Sequence, residues 1–438
     1  MIERRALEDL KKWKDDSDRK PLILRGIRQV GKTSLLKRFG EECFEDTAYF
    51  NFDSQKDLSD LFKGNITPHS VVESLGVLRG SLIKPGKTLL ILDEIQECSE
   101  ALNSLKYFCE EMRELHVATA GSFLGIALSR PSSFPVGKVD FLTLYPVSLK
   151  EFISANGEEM LALNLANISP DKPVPKPIFE KYSDYLRKYF MIGGMPEAVA
   201  KWVDTGDIEK VEKVLKNIIN AYEIDFSKHA PVKDTPKISE IWNSLPNQLS
   251  KENKKFVYTV VRSGARAREY EDALNWLKNA GIVHKINKIS KPHLPVSSYC
   301  DPASFKIYLA DIGMLRVKSN LSAAVFLDKN KLFTEFKGAV SENFVLNEMI
   351  SSGIEQPFYW TSEATAEVEF IIQSDTSVIP VEVKSGTNVS SKSMTVYRQN
   401  YKPQTVIRTS LKNIGSENGL LSLPLFAISE IKRILKRL

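Results

Sequence analysis

The chain has 438 residues, 42% of them hydrophobic and 26% charged, and a formal net charge of +5. This predicts roughly two to four globular domains and permits a local basic face without requiring nucleic-acid binding. Scattered cysteines and histidines argue against a disulfide framework or a zinc site, and a charged N-terminus without any apolar run of about 18 residues predicts a cytoplasmic protein with no membrane span.

The first third of the chain alternates short apolar runs with helical patterns. A helix is predicted over residues 1–20, and a second helix begins at Lys32. Buried strands are predicted at 21–26, 47–53, 87–94, 116–122 and 140–148. Apolar runs of this length, separated by helices, predict a parallel sheet in an α/β domain.

The rest of the chain is first helical and then mixed. Residues 149–228 have a helical pattern that the turn GGMPEAV at 193–199 interrupts, and 235–290 has the helices and hairpin of a winged helix. A helix near 335–352 is followed by predicted strands at 357–361, 366–373 and 377–384. A second α/β region is therefore expected at the C-terminal end.

A complete P-loop motif lies between the first strand and the second helix. GIRQVGKT matches G-x-x-x-x-G-K-[ST], and this position in the chain is the context that the motif requires. Gly26 and Gly31 allow a tight turn whose N–H groups face phosphate oxygens, Lys32 is expected to reach the β- and γ-phosphates, and Thr33 is expected to bind Mg²⁺. The predicted ATP contacts are Gly26, Ile27, Arg28, Gln29, Val30, Gly31, Lys32, Thr33 and Ser34.

Acidic residues follow a strongly apolar strand, LLILDEIQE. Asp93 is expected at the carboxyl edge of the sheet, where ligands bind, and to hold Mg²⁺ through water. Glu94 is the candidate that polarises the attacking water, and Ser122, at the end of the next strand, positions that water or senses the γ-phosphate. The alternatives are an exposed acidic strand end and an ordinary turn serine.

Basic residues near this region are candidates for an arginine-finger role toward a neighbouring nucleotide. They are Arg113, Arg130 and Lys138. Each of them, taken alone, also fits an ordinary surface charge.

Several stretches together resemble one prokaryotic family. They are RGIRQVGKTSLL, LLILDEIQE, ATAGSFLGIAL, LYPVSLKEF and GGMPEAV, followed by FKIYLADIGML, KGAVSENFVLNEM, YWTS and VEVKSG. They span nearly the whole chain and resemble an AAA+-type P-loop ATPase family, related to the signal-transduction ATPases, with its own C-terminal domain.

The resemblance implies an α/β multidomain protein. Its parts would be a parallel-sheet AAA+ core at 1–150, a helical lid at 151–230, a winged helix at 231–325 and a restriction-endonuclease-like α/β domain at 326–438. In the related ATPases a Gly-x-Pro turn of the lid touches the nucleotide. The resemblance therefore implies adenine-side contacts for Gly194 and Pro196, although a simple helix-breaking turn explains the same residues.

The C-terminal strands carry a possible magnesium site. Glu382 and Lys384 share one strand face, Glu369 lies on the preceding strand, and Glu342 lies on the helix before it. Carboxylates hold a hard cation and a lysine orients or activates water, so the set suits a magnesium-dependent phosphodiesterase. The pattern resembles the PD-(D/E)xK nuclease fold, but Glu369 stands where an aspartate is usual. The alternative is an inactive nuclease fold that serves as a binding platform.

Three hypotheses for the whole protein remain open. The first is an ATP-driven machine that contacts DNA phosphates through Arg262, Arg266 and Arg268 of the predicted winged helix, although these arginines can instead pair with Glu269 and Glu271. The second is a nucleotide-dependent switch for a protein partner, with an inactive nuclease-like domain. The third is a regulatory ATPase that works as an oligomer.

Overall fold

The computed structural model describes residues 2–64, 67–122, 125, 135–251, 254–327, 335–386 and 392–437. The chain divides into two compact units. The N-terminal unit comprises residues 3–145 and 279–282, and the C-terminal unit comprises 1–2, 146–278 and 283–438. Within the residues described, the structure has no helix that is long and apolar enough to cross a membrane.

The N-terminal unit is built on a parallel sheet. Its strands are β1 (Leu22–Arg25), β2 (Asp46–Asn51), β3 (Thr88–Asp93), β4 (His116–Ala120) and β5 (Asp140–Thr143). They lie in the order β2-β3-β4-β1-β5, and every neighbouring pair is parallel. Strands β3 and β4 are buried along their whole length, as central strands covered by helices are. The carboxyl ends of β1, β3 and β4 therefore meet at one edge of the sheet.

Helices in the N-terminal unit connect these strands. They are α1 (Ala6–Asp15), α2 (Lys32–Cys43), α3 (Pro68–Arg79) and α4 (Ser99–Glu111), with single 3₁₀ turns at Lys56–Phe62 and Ile95–Glu97. Helix α1 buries Leu7, Leu10 and Trp13, whose three-residue spacing places them on one face. The parallel α/β sheet that the apolar runs predicted is confirmed.

Strand β5 is shorter than predicted. The sequence predicted a strand over 140–148, but β5 ends at Thr143 and a helix, α5, begins at Leu149. Ser148 and Glu151 form a capping box that starts this helix, so the residues before it serve as the connection.

The predicted helical stretch after Leu149 is confirmed. Its helices are α5 (Leu149–Ala155), α6 (Glu159–Asn164), α7 (Lys176–Ile192), α8 (Pro196–Thr205) and α9 (Ile208–His229), with a 3₁₀ turn at Leu165–Asn167. Helix α7 ends at a glycine with a φ of 77°, and α8 begins with Pro196 in its first turn. The predicted GGMPEAV turn therefore separates two helices, as glycine and proline in this order do.

Three further helices precede an antiparallel strand pair. They are α10 (Thr235–Leu249), α11 (Tyr258–Val261) and α12 (Ala267–Asn279), and the strands are β6 (Val283–Ile289) and β7 (Cys300–Leu309), with a 3₁₀ turn at Val296–Tyr299 between them. Strand β6 also pairs in parallel with β8 (Phe358–Thr361), so this hairpin belongs to a larger sheet. The winged helix stays a prediction.

The larger sheet of the C-terminal unit has eight strands among the described residues. After β8 it contains β9 (Glu367–Ser374), β10 (Ser377–Val383), β11 (Val406–Ser410), β12 (Gly415–Glu417) and β13 (Leu420–Pro424). The order is β12-β13-β11-β10-β9-β8-β6-β7. The remaining helices are α13 (Ile312–Lys318), α14 (Ala324–Leu327), α15 (Glu335–Ser351), α16 (Lys392–Tyr401) and α17 (Ile431–Leu435), with a 3₁₀ turn at Leu425–Glu430. The predicted C-terminal strands match β8, β9 and β10, whereas the four domain boundaries stay predictions.

Candidate nucleotide site and C-terminal carboxylate cluster

The P-loop connects β1 to α2 as its sequence predicted. Gly31 has a φ of 95° and directly precedes α2, and Gln29 also has a positive φ, of 61°. A Cβ atom at Gly26 would lie 2.3 Å from the carbonyl oxygen of Leu144, so only glycine fits there. Ile27 and Val30 are buried and anchor the loop, which leaves the backbone to face a ligand.

Lys32 is held against the backbone of this loop. Its side chain is only 6% exposed, and Nζ donates to the carbonyl oxygens of Gly26 and Ile27, both at 3.0 Å. Burial lowers the pKa of Lys32 to about 8, although the nearby carboxylates of Glu94 and Asp93 oppose this shift. A phosphate group would favour the charged ammonium by offering it an anionic acceptor.

Asp93 is held by three donors at the end of β3. Its Oδ2 accepts from Thr33 Oγ1 and from Tyr49 OH, both at 2.8 Å, and its Oδ1 accepts from the backbone N–H of Glu94 at 3.0 Å. The structure therefore brings together the two predicted magnesium ligands, Thr33 and Asp93. Both hydroxyls fix the orientation of a carboxylate that is 2% exposed.

Tyr49 is a member of this site that the sequence analysis missed. Its hydroxyl also accepts from Asn51 Nδ2 at 3.2 Å, and Lys37 Nζ lies 3.8 Å from the centre of its ring. Burial raises the pKa of Tyr49 to about 12, so the hydroxyl keeps its proton and remains a donor to Asp93 at ordinary pH. Its own apolar run carries no signal for this role, which depends on the pairing of β2 with β3.

Glu94 and Ser122, which were predicted to act on water, lie beside each other. The backbone N–H of Ser122 donates to Glu94 Oε2 at 3.1 Å, and Ser122 Oγ donates to Oε1 at 3.3 Å. Gln96 Nε2 donates to Oε2 at 2.6 Å and is a further partner that the sequence did not indicate. Glu94 itself adopts a left-handed backbone, with a φ of 50°, at the turn after β3. The ends of β3 and β4 thus place both side chains at the same edge as the P-loop.

These residues fit MgATP. The loop offers backbone donors and a lysine, and the bonded pair of Thr33 and Asp93 supplies the hydroxyl and carboxylate oxygens that Mg²⁺ takes alongside phosphate and water. Among the described residues there is no group of three histidine, cysteine, aspartate or glutamate side chains that could hold a metal. A nucleotide-dependent magnesium site does not need such a group, because phosphate oxygens complete it.

The other predicted members of the nucleotide site are less informative. Ser34 is exposed on α2, and Arg28 is partly exposed in the loop. Lys138 pairs with Glu110 at 2.8 Å, and Arg113 lies 3.9 Å from Asp18. These contacts favour the surface-charge alternative for Lys138 and Arg113, and Arg130 lies outside the described residues.

Gly194 and Pro196 lie in the C-terminal unit. The N–H of Gly194 donates to Asp311 Oδ2 at 2.5 Å, and its carbonyl oxygen accepts from the N–H of Val147 at 2.7 Å. A Cβ at Gly194 would lie 2.4 Å from the carbonyl oxygen of Val147, so the turn requires glycine for packing. Pro196 starts α8. Contact of either residue with a nucleotide stays a prediction.

The predicted magnesium site of the C-terminal unit is crowded with cations. Glu382 is 1% exposed, and its two carboxylate oxygens contact Lys384 Nζ at 3.1 Å and Arg408 Nε at 2.8 Å. Arg408 lies directly opposite Glu382 on the neighbouring strand β11. The predicted pairing of Glu382 with Lys384 is present, but the arginine was not expected.

Glu342 is also fully engaged. Its Oε1 lies 2.6 Å from Lys254 Nζ, and its Oε2 accepts from Tyr308 OH at 3.1 Å. Burial alone would raise the pKa of Glu342, but the charges of Lys254 and Lys306 outweigh burial and lower it. The sequence analysis did not single out Lys254, Lys306 or Tyr308.

Glu369 differs from the other two carboxylates. Its Oε2 accepts from the backbone N–H of Val383 at 3.2 Å. Poor hydration around its carboxyl group and repulsion from Glu342 raise the pKa of Glu369 to about 7. The three predicted metal ligands therefore do not present a set of open carboxylates in this arrangement, and magnesium binding by Glu342, Glu369 and Glu382 stays a prediction that the geometry disfavours.

The arginines of the predicted winged helix lie between the end of α11 and the first turn of α12. Arg262 has a 65% exposed side chain and lies 3.6 Å from Glu240. The backbone N–H of Arg266 donates to Glu269 Oε2 at 3.4 Å, and Arg268 is exposed. Their exposure is compatible with phosphate contacts, while the carboxylate neighbours match the alternative.

Comparisons with known proteins bear on each part of the chain. Residues 18–153 match a family model described as an AAA domain. Residues 183–324 and 337–428 match two models that are described as domains of unknown function, DUF8612 and DUF4143 respectively. No curated protein matches the chain significantly.

Several solved structures are similar at low sequence identity. The Walker-type ATPase of Pyrococcus abyssi is 15% identical with a TM-score of 0.45, and the match covers 73% of this chain and 96% of that one. The RuvB branch migration motor of Thermotoga maritima is 14% identical with a TM-score of 0.32, covering 65% and 89%. The Orc1 protein of Aeropyrum pernix in complex with DNA is 14% identical with a TM-score of 0.28, covering 74% and 93%.

The assignment of the N-terminal unit depends on its own features. The matched segment contains the whole P-loop, the Thr33–Asp93 pair and the parallel sheet that presents them. The segment 18–153 therefore matches an AAA domain and has the parallel-sheet architecture and P-loop of a P-loop ATPase core.

Proposed function

We propose that the chain binds ATP with Mg²⁺ at the P-loop and hydrolyses it. The observation that carries this proposal is the 2.8 Å hydrogen bond between Thr33 Oγ1 and Asp93 Oδ2. It joins the P-loop to the acidic strand end and puts the two expected magnesium ligands at one place. A bound Mg²⁺ would neutralise charge on the β- and γ-phosphates during transfer to water.

The roles of the protein's own residues follow from their positions. Lys32 supplies positive charge at the loop, and the N-terminus of α2 adds the partial charge of its N–H groups. Glu94 is the group that polarises water, and Ser122 keeps the Glu94 carboxylate at the sheet edge through two hydrogen bonds. Tyr49 orients Asp93.

The test is ATP hydrolysis by the purified protein and by three variants. Lys32→Ala should lose ATP binding and turnover, whereas Glu94→Gln should bind ATP with little turnover, because its amide cannot accept a proton. Lys84→Ala removes an exposed lysine from the same unit and should behave as the wild type. Normal turnover in Lys32→Ala would contradict the proposal, since no other lysine occupies the loop position of the motif.

Coupling to DNA is the finer part of the proposal. The exposed Arg262, after α11, and Arg268, in the first turn of α12, support it, because phosphate contacts need accessible guanidinium groups. Single- and double-stranded DNA should then stimulate turnover, and more strongly at low salt than at high salt. Replacing both arginines by glutamine should reduce this stimulation and leave the turnover without DNA unchanged.

A second candidate is a nucleotide-dependent switch for a protein partner, in which the nuclease-like domain is inactive. The ion pairs of Glu342 and Glu382 favour it, because they occupy the carboxylates that a nuclease would offer to a metal. Turnover that depends on Lys32 but ignores DNA, with no magnesium-dependent cleavage of DNA, would support this candidate over the first.

A further inference from the structure

The C-terminal cluster contains four buried or partly buried ion pairs in the described residues. Its carboxylates come from α15, β9 and β10, and three of its cations lie on β7, on β11 or directly after β10. The pairs are Lys254 with Glu342, Lys306 with Glu367, Lys384 with Glu382, and Arg408 with Glu382. Lys254 is the exception, because it belongs to the segment between α10 and α11.

The residues that follow Lys254 in this segment are held in place by the rest of the unit. Phe256 is 4% exposed, its N–H donates to the carbonyl oxygen of Phe305 at 2.8 Å, and the two rings stack with centres 5.3 Å apart. The side-chain amide of the buried Gln248 bonds both backbone groups of Val257, at 2.9 and 3.0 Å. The backbone next to Lys254 is therefore placed by ring packing and by three hydrogen bonds, and does not depend on the ion pair alone.

The ammonium of Lys254 is well placed to act as an internal cation. Its side chain is 11% exposed, that of Glu342 is 6% exposed, and Nζ and Oε1 are 2.6 Å apart. The hydroxyl of Tyr308 occupies the other oxygen of Glu342. A buried carboxylate needs such partners, because leaving it ionised without one is strongly destabilising.

The numbers of carboxylates and cations distinguish this cluster from a magnesium site. Four carboxylates lie among four cations, so the cluster has no excess of negative charge whether or not Glu369 is ionised. The carboxylates are Glu342, Glu367, Glu369 and Glu382, and the cations are Lys254, Lys306, Lys384 and Arg408. Divalent cations in proteins are held by an excess of anionic oxygens, and affinity rises with the number of charged ligands. A cluster that is already balanced offers no such excess.

We infer that Lys254 takes the place of a divalent cation in this cluster. The cluster is then free of metal, and its charge is balanced by a lysine from outside the predicted nuclease-like region. This deepens the second candidate function and concerns the C-terminal unit only. It is independent of ATP hydrolysis, because its test measures metal binding in the absence of nucleotide, whereas the ATPase proposal is tested by turnover.

The experiment titrates Mn²⁺ into the full-length protein without nucleotide and measures free Mn²⁺ by electron paramagnetic resonance. The wild type should show no Mn²⁺ binding that depends on Glu342. Lys254→Met keeps the length of the side chain without its charge, and it should bind about one Mn²⁺ in the range of roughly 0.1–1 mM, as sites with few charged ligands do. Adding Glu342→Gln to this variant should abolish that binding.

Controls keep the result interpretable. Lys255→Met changes the adjacent, exposed lysine and should bind no Mn²⁺. Circular dichroism shows whether Lys254→Met folds, and Lys254→Gln is the second variant if it does not. Mn²⁺ should raise the melting temperature of Lys254→Gln but not that of the wild type. Mn²⁺ binding by the wild type that Glu342→Gln removes would overturn the inference. Absence of binding in both folded Lys254 variants would overturn it as well, because the lysine would then not be what excludes the cation.

Discussion

Replacing Tyr49 by phenylalanine isolates one hydrogen bond of the nucleotide site. The change removes the hydroxyl that donates to Asp93 Oδ2 at 2.8 Å and leaves the ring and its contact with Lys37. In the structure Oδ2 also accepts from Thr33 Oγ1, which is expected to turn to Mg²⁺ when MgATP binds. Tyr49 is then the remaining side chain that orients this oxygen, so its loss should appear mainly as weaker magnesium binding.

The size of the effect follows from the type of bond. A hydrogen bond to a charged acceptor contributes about 1.5–3 kcal/mol, and the partial exposure of Tyr49 favours the lower end. Since about 1.4 kcal/mol corresponds to a factor of ten, the Mg²⁺ concentration for half-maximal ATP turnover should rise about tenfold. The assay is a Mg²⁺ titration at saturating ATP, in which turnover at saturating Mg²⁺ should change little.

A matched control is available on α4. Tyr107 also lies under a lysine, with Lys106 Nζ 4.5 Å from its ring centre, and Tyr107→Phe should leave the Mg²⁺ dependence unchanged. The pKa of Tyr49 is raised to about 12 by burial, so the ratio of variant to wild type should be the same at pH 7 and pH 9. An unchanged Mg²⁺ dependence in Tyr49→Phe, or a loss confined to turnover at saturating Mg²⁺, would refute the reasoning.

Three other substitutions test the packing and the charges. Gly26→Ala should impair ATP binding in a nucleotide-binding assay, because its Cβ would lie 2.3 Å from the carbonyl oxygen of Leu144; unaltered affinity would contradict this. Asp311→Ala should lower the free energy of unfolding in urea by about 2–4 kcal/mol, because it removes a helix cap and the acceptor of the buried Gly194 N–H, and Asp311→Asn should lose less. Burial raises the pKa of Glu348 to about 8, so its contribution to stability is complete below the unfolded pKa and falls as the pH rises toward 8. Between pH 4.5 and pH 7 the free energy of unfolding of the wild type should fall by up to about 3 kcal/mol from this group, whereas that of Glu348→Gln should lack this fall, because glutamine does not titrate. Urea unfolding at both pH values measures the difference.

The nucleotide site was largely predictable because its determinants are local. The P-loop is one continuous motif, and the carboxyl end of β3 is indicated by four apolar residues followed by Asp93. A parallel sheet then brings the ends of β1, β3 and β4 to one edge, whatever the strand order is. The proximity of Lys32, Asp93, Glu94 and Ser122 required no knowledge of distant contacts.

Tyr49 was missed because its role depends on strand order and register. Strand β2 is the neighbour of β3, and Asn51 lies opposite Asp93, which puts the hydroxyl of Tyr49 within reach of the carboxylate. Nothing in the run TAYFNFD distinguishes this tyrosine from one that packs in a core. Only the pairing of β2 with β3, rather than with β1, makes it part of the site.

The C-terminal cluster shows the limit of a short motif in a different way. The E-x-K pattern correctly placed Glu382 and Lys384 together, because two-residue alternation fixes the face of a strand. Whether a carboxylate is available to a metal depends on the charges that reach it from elsewhere in the fold. Arg408 reaches Glu382 from the adjacent strand, and Lys254 reaches Glu342 across 88 residues of sequence. Since a buried carboxylate must be neutralised by a proton, a metal or a basic side chain, the cations that the motif does not contain determine which of the three this protein uses.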